Sequence, residues 1–118
     1  MPFERGKVLL ALFPNSNLQT AKRRPVLSIQ RANLASGLHQ TVVAMISSNM
    51  SRMGHPSRVV ILASSSEGRS AGLLLDSVVM TDNLATLHDR EIERVLGELS
   101  DMSRMDDARN HTLGLQNH

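Results

Sequence analysis

Two short polar clusters stand where the chain enters or leaves apolar, strand-like segments. Residues 22–24 (Lys-Arg-Arg) immediately precede Pro25, and residues 47–49 (Ser-Ser-Asn) follow a β-branched run. The proline favours an extended backbone at Arg24, which places that residue at the start of the next segment. A guanidinium can bind two phosphate oxygens at once, and a hydroxyl can donate to another. If the two strands are antiparallel neighbours, both clusters share one rim that can hold a phosphate group.

Several other kinds of chemistry are excluded by the residues that the chain lacks. It has no cysteine, no glycine-rich phosphate loop and no nucleophile elbow, which excludes disulfides, thiolate chemistry and the common hydrolase motif. Its five histidines are far apart and show no ligand spacing, so we predict neither a metal site nor a cofactor. The longest apolar run, residues 8–13, is too short to span a membrane. No signal peptide precedes it, so we predict a cytoplasmic protein.

The formal net charge of +2 hides an uneven distribution along the 118 residues. Residues 1–70 contain nine cationic side chains and two carboxylates, whereas residues 71–118 contain four and nine. The basic half could meet a polyanion, or the two halves could pair with each other on the folded surface, which charge alone favours. The only aromatic residues are two phenylalanines, so stacking on bases is not the main mode of binding.

The hydrophobic pattern predicts a single mainly-β domain over residues 1–118. Strands are expected at residues 8–13, 25–30, 41–46 and 58–63, with two more short strands on either side of a bend within 73–80. Ile92, Val95, Leu96 and Leu99 form an i, i+3, i+4, i+7 stripe that predicts a helix over 89–99. A second helix is expected over 101–112, so that helical segments span about 89–113. Strands this short and this closely spaced favour a small barrel.

Five segments in a fixed order resemble the MazF/PemK family. They are Arg5-Gly-Lys-Val8, Lys22-Arg-Arg-Pro-Val-Leu-Ser28, Val43-Ala-Met-Ile-Ser-Ser-Asn49, Ser77-Val-Val-Met-Thr-Asp-Asn-Leu-Ala-Thr86 and Gly97-Glu-Leu-Ser100. The family comprises toxins of type II toxin–antitoxin pairs, which are sequence-specific endoribonucleases that cut single-stranded mRNA. The resemblance implies an SH3-like small β-barrel of the CcdB/Kid/MazF type over about residues 5–100. It also implies a homodimer with RNA across its interface, and a cognate antitoxin partner.

The resemblance also implies a set of site residues. Metal-independent cleavage by the ribose 2′-hydroxyl needs a cation on the phosphorane, a base and an acid. The family's arginine before proline corresponds to Arg24, its threonine at the end of the central strand to Ser47, and its later aspartate to Asp82, which are the predicted catalytic residues. The predicted RNA-binding residues lie in or beside loops 15–23 and 49–57: Gln19, Lys22, Arg23, Ser48, Asn49 and Arg52.

This sequence departs from the family pattern at three positions that bear on catalysis. Gln19 stands where some members have a glutamate that could act as the base, and Met80 and Ala85 stand where members have arginines. A non-catalytic nucleic-acid- or protein-binding module on the same fold is therefore the alternative function.

Each predicted catalytic residue also has a purely structural interpretation. Arg24 could pair with the acidic half of the chain. Ser47 could start a turn through its hydroxyl, and Asp82 could cap a turn or helix.

Overall fold

Six antiparallel strands form a single sheet. The structure, a computed structural model, describes residues 3–31 and 34–115. The strands are β1 (Lys7–Pro14), β2 (Ala21–Ser28), β3 (Gln40–Ser47), β4 (Arg58–Ile61), β5 (Ser77–His88) and β6 (Ile92–Glu98). The helices are α1 (Ser66–Ser70) and α2 (Ser103–Leu113), and two 3-10 turns are η1 (Met50–Arg52) and η2 (Asp89–Glu91).

The strand order is β4-β5-β3-β2-β1-β6, which leaves β4 and β6 as edges within the described residues. The sheet is therefore not closed, although the prediction of a mainly-β domain with a C-terminal helix is confirmed. No helix of the described ranges is long and apolar enough to cross a membrane.

Both faces of the sheet are covered by apolar side chains. Val8 belongs to a core cluster that includes Met105 and Ala108 of α2, whereas Leu9 and Phe13 belong to a second cluster on the other face. Successive residues of a strand point to opposite faces, so a strand buried on both faces is a nearly continuous apolar run. This explains the sequence of β1, whose apolar run was predicted as a strand.

The predicted helix over 89–99 is wrong. That segment forms η2 and then β6, which pairs with β1 through Val8↔Gly97, Leu9↔Val95 and Leu10↔Arg94. The register shifts twice along this pair, and such irregularities break the alternation by which strands are recognised. The edge of β1 that does not pair with β2 has backbone amides and carbonyls that need partners, and β6 supplies them. This pairing is favoured over the helix that the apolar stripe indicates.

Two other segments also differ from the prediction. Only one strand, β5, includes residues from 73–80; it begins at Ser77 and continues to His88. Residues 64–72, where neither a strand nor a helix was predicted, contain α1, whose N-cap Ser65 accepts a hydrogen bond from the Gly68 amide. A helix of five residues is too short to give a clear apolar period in the sequence. The predicted second helix is confirmed as α2, which ends at Gly114 in the left-handed conformation.

Candidate active site

The register between β2 and β3 brings the two polar clusters together. Val26 pairs with Met45 and Leu27 with Ala44, and the same register continued by two residues places Arg24 opposite Ser47. Residues opposite each other in an antiparallel pair point to the same face. Arg24 and Ser47 both line a groove of about 560 Å³. The two clusters that the sequence singled out therefore meet at one groove, as expected.

The groove has a cationic and polar side and an apolar side. The cationic and polar lining residues are Lys22, Arg23, Arg24, Ser47, Ser48, Asn49, Arg52, Ser77 and Arg94. The apolar lining residues include Leu10, Pro25, Leu73, Leu74, Leu75 and Leu96. Seven of the nine predicted site residues thus share one groove, whereas Gln19 and Asp82 are not among its lining residues. No group of three or more side chains suited to hold a metal occurs in the described ranges.

Arg24 has a guanidinium with few partners. Its Nη1 lies 3.4 Å from Met45 Sδ, and its Nη2 lies 3.4 Å from Asn15 Oδ1. Its Nε is buried and has no hydrogen-bond partner in the described part of the chain. A buried donor left unpaired is costly, so an anion that accepts from Arg24 would bind favourably. Within residues 3–31 and 34–115, Arg24 forms no ion pair with the acidic half.

Other cations of the basic half do pair with the acidic half. Arg23 contacts Glu93 at 2.8 Å, Lys7 contacts Glu98 at 3.3 Å, and Arg5 contacts Asp106. The second interpretation of the charge distribution therefore applies to these residues. The groove cations that remain without an ion pair in the described ranges are Lys22, Arg24, Arg52 and Arg94.

Ser47 is buried and serves as both a turn residue and a groove residue. Its Oγ accepts a hydrogen bond from the Asn49 amide at 3.1 Å. A hydroxyl that accepts one bond still has its own O–H to donate. Asn49 in turn accepts from the amide and the hydroxyl of Ser51 and so begins η1. The structural and functional interpretations of Ser47 are thus compatible.

Asp82 does not lie where a base for the groove is needed. It is on β5, where its Oδ2 is 2.8 Å from Arg58 Nη2 and its Oδ1 is 3.4 Å from Arg58 Nε. The hydrogen bond from Arg58 holds the pKa of the Asp82 carboxyl below its usual range. A carboxylate held in this way is a poor proton acceptor at neutral pH. Asp82, predicted as a catalytic residue, is therefore not placed to act as the base in this groove.

Gln19 and the two substituted arginine positions also lie outside the groove lining. Gln19 is exposed in the turn between β1 and β2, where its backbone amide donates to Asn17 Oδ1 at 2.9 Å. Met80 is 6% exposed and Ala85 packs against the second core cluster.

Arg94 is the groove residue that the sequence did not identify. The predicted helix placed it among the acidic residues of the second half, turned away from a ligand. In β6 it instead lies opposite Leu10, which also pairs with Pro25, and all three residues line the groove. Alternation of Arg94 and Leu96 on one face would have revealed it, had 92–98 been taken as a strand.

The position of Asp82 also predicts how stability depends on pH. The pKa of Asp82 is lowered by Arg58, and that of Asp101 is lowered by the hydroxyl and amide of Ser103 at the start of α2. A folded-state pKa below the unfolded one stabilises the fold above about pH 4 and loses this effect as the pH falls further. We expect Asp82→Asn to lower the free energy of unfolding at pH 7 and to flatten its decline towards pH 3 in urea titrations. An unchanged decline would contradict the role assigned to the Arg58 pair.

Comparison with models of protein families shows the family of the chain. Residues 4–111 match the family model described as PemK-like, MazF-like toxin of type II toxin-antitoxin system. The chain belongs to this family. The family resemblance noted in the sequence is thereby confirmed across most of the toxin's length. No curated protein matches the toxin in sequence.

Solved structures with the same fold include several toxins and their complexes. An endoribonuclease in complex with its cognate antitoxin from a mycobacterial species has a TM-score of 0.75 at 21% identity, with 98% of this toxin and 99% of that chain covered. The Mycobacterium tuberculosis toxin MazF-mt6 has a TM-score of 0.72 at 25% identity, with 94% and 99% covered. A MazE-MazF complex from Deinococcus radiodurans has a TM-score of 0.69 at 19% identity, with 97% of each chain covered. These similarities confirm the fold class.

Proposed function

We propose that this toxin is an endoribonuclease that cleaves single-stranded mRNA in the groove lined by Arg24 and Ser47. The observation that carries the proposal is that the Arg24 guanidinium forms no ion pair within the described ranges, and that its Nε is buried without a partner there. Arg24 lines the groove together with Ser47 and further cations. A phosphodiester supplies the anion that such a guanidinium lacks. The family assignment and the similar fold of proteins described as endoribonucleases support the same activity.

Arg24 and Ser47 each have a defined role in the proposed reaction. The ribose 2′-oxygen forms a bond to phosphorus, the bond to the 5′-oxygen breaks, and a 2′,3′-cyclic phosphate and a 5′-hydroxyl result. Solvent water accepts the proton of the 2′-hydroxyl and supplies one to the departing 5′-oxygen. Arg24 stabilises the charge that accumulates on the phosphorane oxygens, and the Ser47 hydroxyl donates to one of them. No carboxylate or imidazole is among the groove's lining residues, so this groove contributes charge stabilisation more than general-base catalysis.

The partners follow from the same groove. We infer that single-stranded mRNA binds through its phosphates, and that an acidic segment of a cognate antitoxin competes for the same cations, because both are polyanions. The neighbour solved with its cognate antitoxin supports such a partner. Leu74 and Leu75, in the apolar lining of the groove, are 93% and 64% exposed, which favours burial in a homodimer. We infer a cytoplasmic location, because the proposed mRNA substrate is found there.

Cleavage of a long transcript in excess chelator tests the proposal. We expect purified toxin to cut the transcript into fragments with 5′-hydroxyl and 2′,3′-cyclic phosphate ends. An all-2′-O-methyl copy should bind and stay intact, because its nucleophile is blocked. A requirement for a divalent ion, or fragments with 5′-phosphate ends, would contradict the mechanism.

A non-catalytic binder is the second candidate function. The observation that favours it is the groove's lack of a carboxylate or imidazole among its lining residues, together with Gln19 at the position of a possible base. Tight, salt-sensitive RNA binding without cleavage in the same assay would favour this function over the first.

Arg94 provides a specific prediction for RNA binding. We expect Arg94→Ala to weaken binding of a 2′-O-methyl RNA about three- to tenfold at low salt and to reduce the salt dependence of binding, because one cation that faces the phosphates is removed. The control is Arg90→Ala, which removes an exposed arginine that does not line the groove. Equal affinities for both variants in fluorescence anisotropy would exclude β6 from the RNA-binding surface.

A further inference from the structure

We propose that Asp82 and Arg58 form a positioning pair that fixes η1, and with it Asn49 and Arg52, at the rim of the groove. The proposal rests on the proposed function for its consequence in RNA recognition, although its structural part does not. It assigns the carboxylate on β5 to substrate binding through other residues, without a part in proton transfer.

The guanidinium of Arg58 connects two elements. Its Nη2 and Nε donate to the two carboxylate oxygens of Asp82 at 2.8 and 3.4 Å. Its Nη1 donates to the backbone carbonyl of Arg52, the last residue of η1, at 3.1 Å. The rigid fork of arginine donors reaches both partners from separate nitrogens, whereas the three donors of a lysine ammonium all lie on one nitrogen and do not reproduce this geometry. Asp82 thus orients Arg58, and Arg58 holds the end of η1.

The turn η1 needs such a contact because packing does not hold it. None of its three residues is buried, and its other hydrogen bonds are local, through the Asn49 cap and the amide of Met53. Asn49 caps this turn and Arg52 is its last residue, and both line the groove. The side chains of Arg58 and Asp82 are 23% and 28% exposed, which limits competition by water. A tethered turn keeps the Arg52 cation in one place before RNA arrives, so less conformational freedom is lost on binding.

The chain contains a matched control pair. Arg104 donates to the Glu67 carboxylate and to the backbone carbonyl of Val60, which repeats the arrangement of Arg58 with Asp82 and Arg52. Neither Arg104 nor Glu67 lines the groove. Glu67→Gln therefore removes a comparable ion pair without affecting η1.

Hydrogen exchange of the free toxin tests the structural part without RNA. We expect Asp82→Asn and Arg58→Lys to accelerate exchange of the Arg52 and Met53 amides at least about fivefold, because the turn that protects them opens more often. Glu67→Gln should leave both amides unchanged. Unchanged exchange in Asp82→Asn, or equal acceleration in Glu67→Gln, would overturn the proposal.

Binding and cleavage test the functional part. With a 2′-O-methyl RNA, Asp82→Asn should weaken binding about fivefold, but less than twofold when Arg52→Ala is already present, since coupled residues are not additive. The cleavage rate at saturating toxin, and its pH profile, should stay within about twofold of wild type. A hundredfold loss at saturation would make Asp82 a catalytic group and overturn the proposal. If the wild type does not cleave at all, the proposed endoribonuclease function fails, while exchange and binding still decide the role of the pair.

Discussion

Replacement of Arg24 by alanine should lower the single-turnover rate of RNA cleavage by about a hundred- to a thousandfold, the scale of one lost donor to a developing oxyanion. Arg24 is the cation that lies opposite Ser47, and its Nε has no hydrogen-bond partner in the described residues. Alanine removes that unpaired donor, so the fold should keep its stability. The rate is measured at saturating toxin, which separates chemistry from RNA affinity.

Two further variants sharpen this prediction. Arg24→Lys should recover little of the rate, because an ammonium lacks the two-pronged geometry of a guanidinium. Arg90→Ala, outside the groove, should cleave within about twofold of wild type. If Arg24→Ala is folded and cleaves within threefold of wild type, the chemistry takes place elsewhere.

Gly72→Ala should destabilise the toxin by about 3–5 kcal/mol, the range of severe core substitutions. Gly72 has a φ of +73°, and a Cβ there would lie 2.2 Å from the carbonyl oxygen of Leu96 in β6. The obstacle is backbone, which cannot rotate away as a side chain can. Gly72 and Leu96 both line the groove, so this close approach lies in the groove wall. The free energy of unfolding in urea is the measurement.

The matched control for Gly72 is Gly37. It has nearly the same φ, +77°, but a Cβ there meets nothing within 4 Å. Gly37→Ala should therefore cost only about 1–2 kcal/mol, the penalty of the left-handed conformation itself. Equal losses in the two variants would mean that backbone strain, and not the contact with β6, explains the effect.

The groove lined by Arg24 and Ser47 could be predicted because its signals are local. Pro25 defines how the basic cluster meets its strand, and the apolar run of β3 ends directly at Ser47. Antiparallel pairing of two strands then suffices to bring the clusters together, and the observed register does so. The family resemblance added roles to residues that the pattern had already singled out.

The rest of the site depends on contacts between distant parts of the chain. Arg94 reaches the groove only because β6 pairs with β1 across two register shifts, which a helical stripe in the sequence conceals. Asp82 contacts Arg58, 24 positions away, because β4 and β5 pair, and this pairing could not be predicted from the sequence. Register shifts and partner choice of this kind are decided by the whole fold.

The most direct test of the account is a single-atom change in the RNA. Once the cut sites of a transcript are mapped, the ribose 5′ to one scissile phosphate is replaced by 2′-deoxyribose. We expect the cut at this site to disappear, because only the local 2′-oxygen attacks that phosphate. The affinity of the toxin for the RNA and the cuts at unmodified sites should persist. Continued cleavage at the deoxy site would show that another nucleophile acts, and would contradict the proposed mechanism.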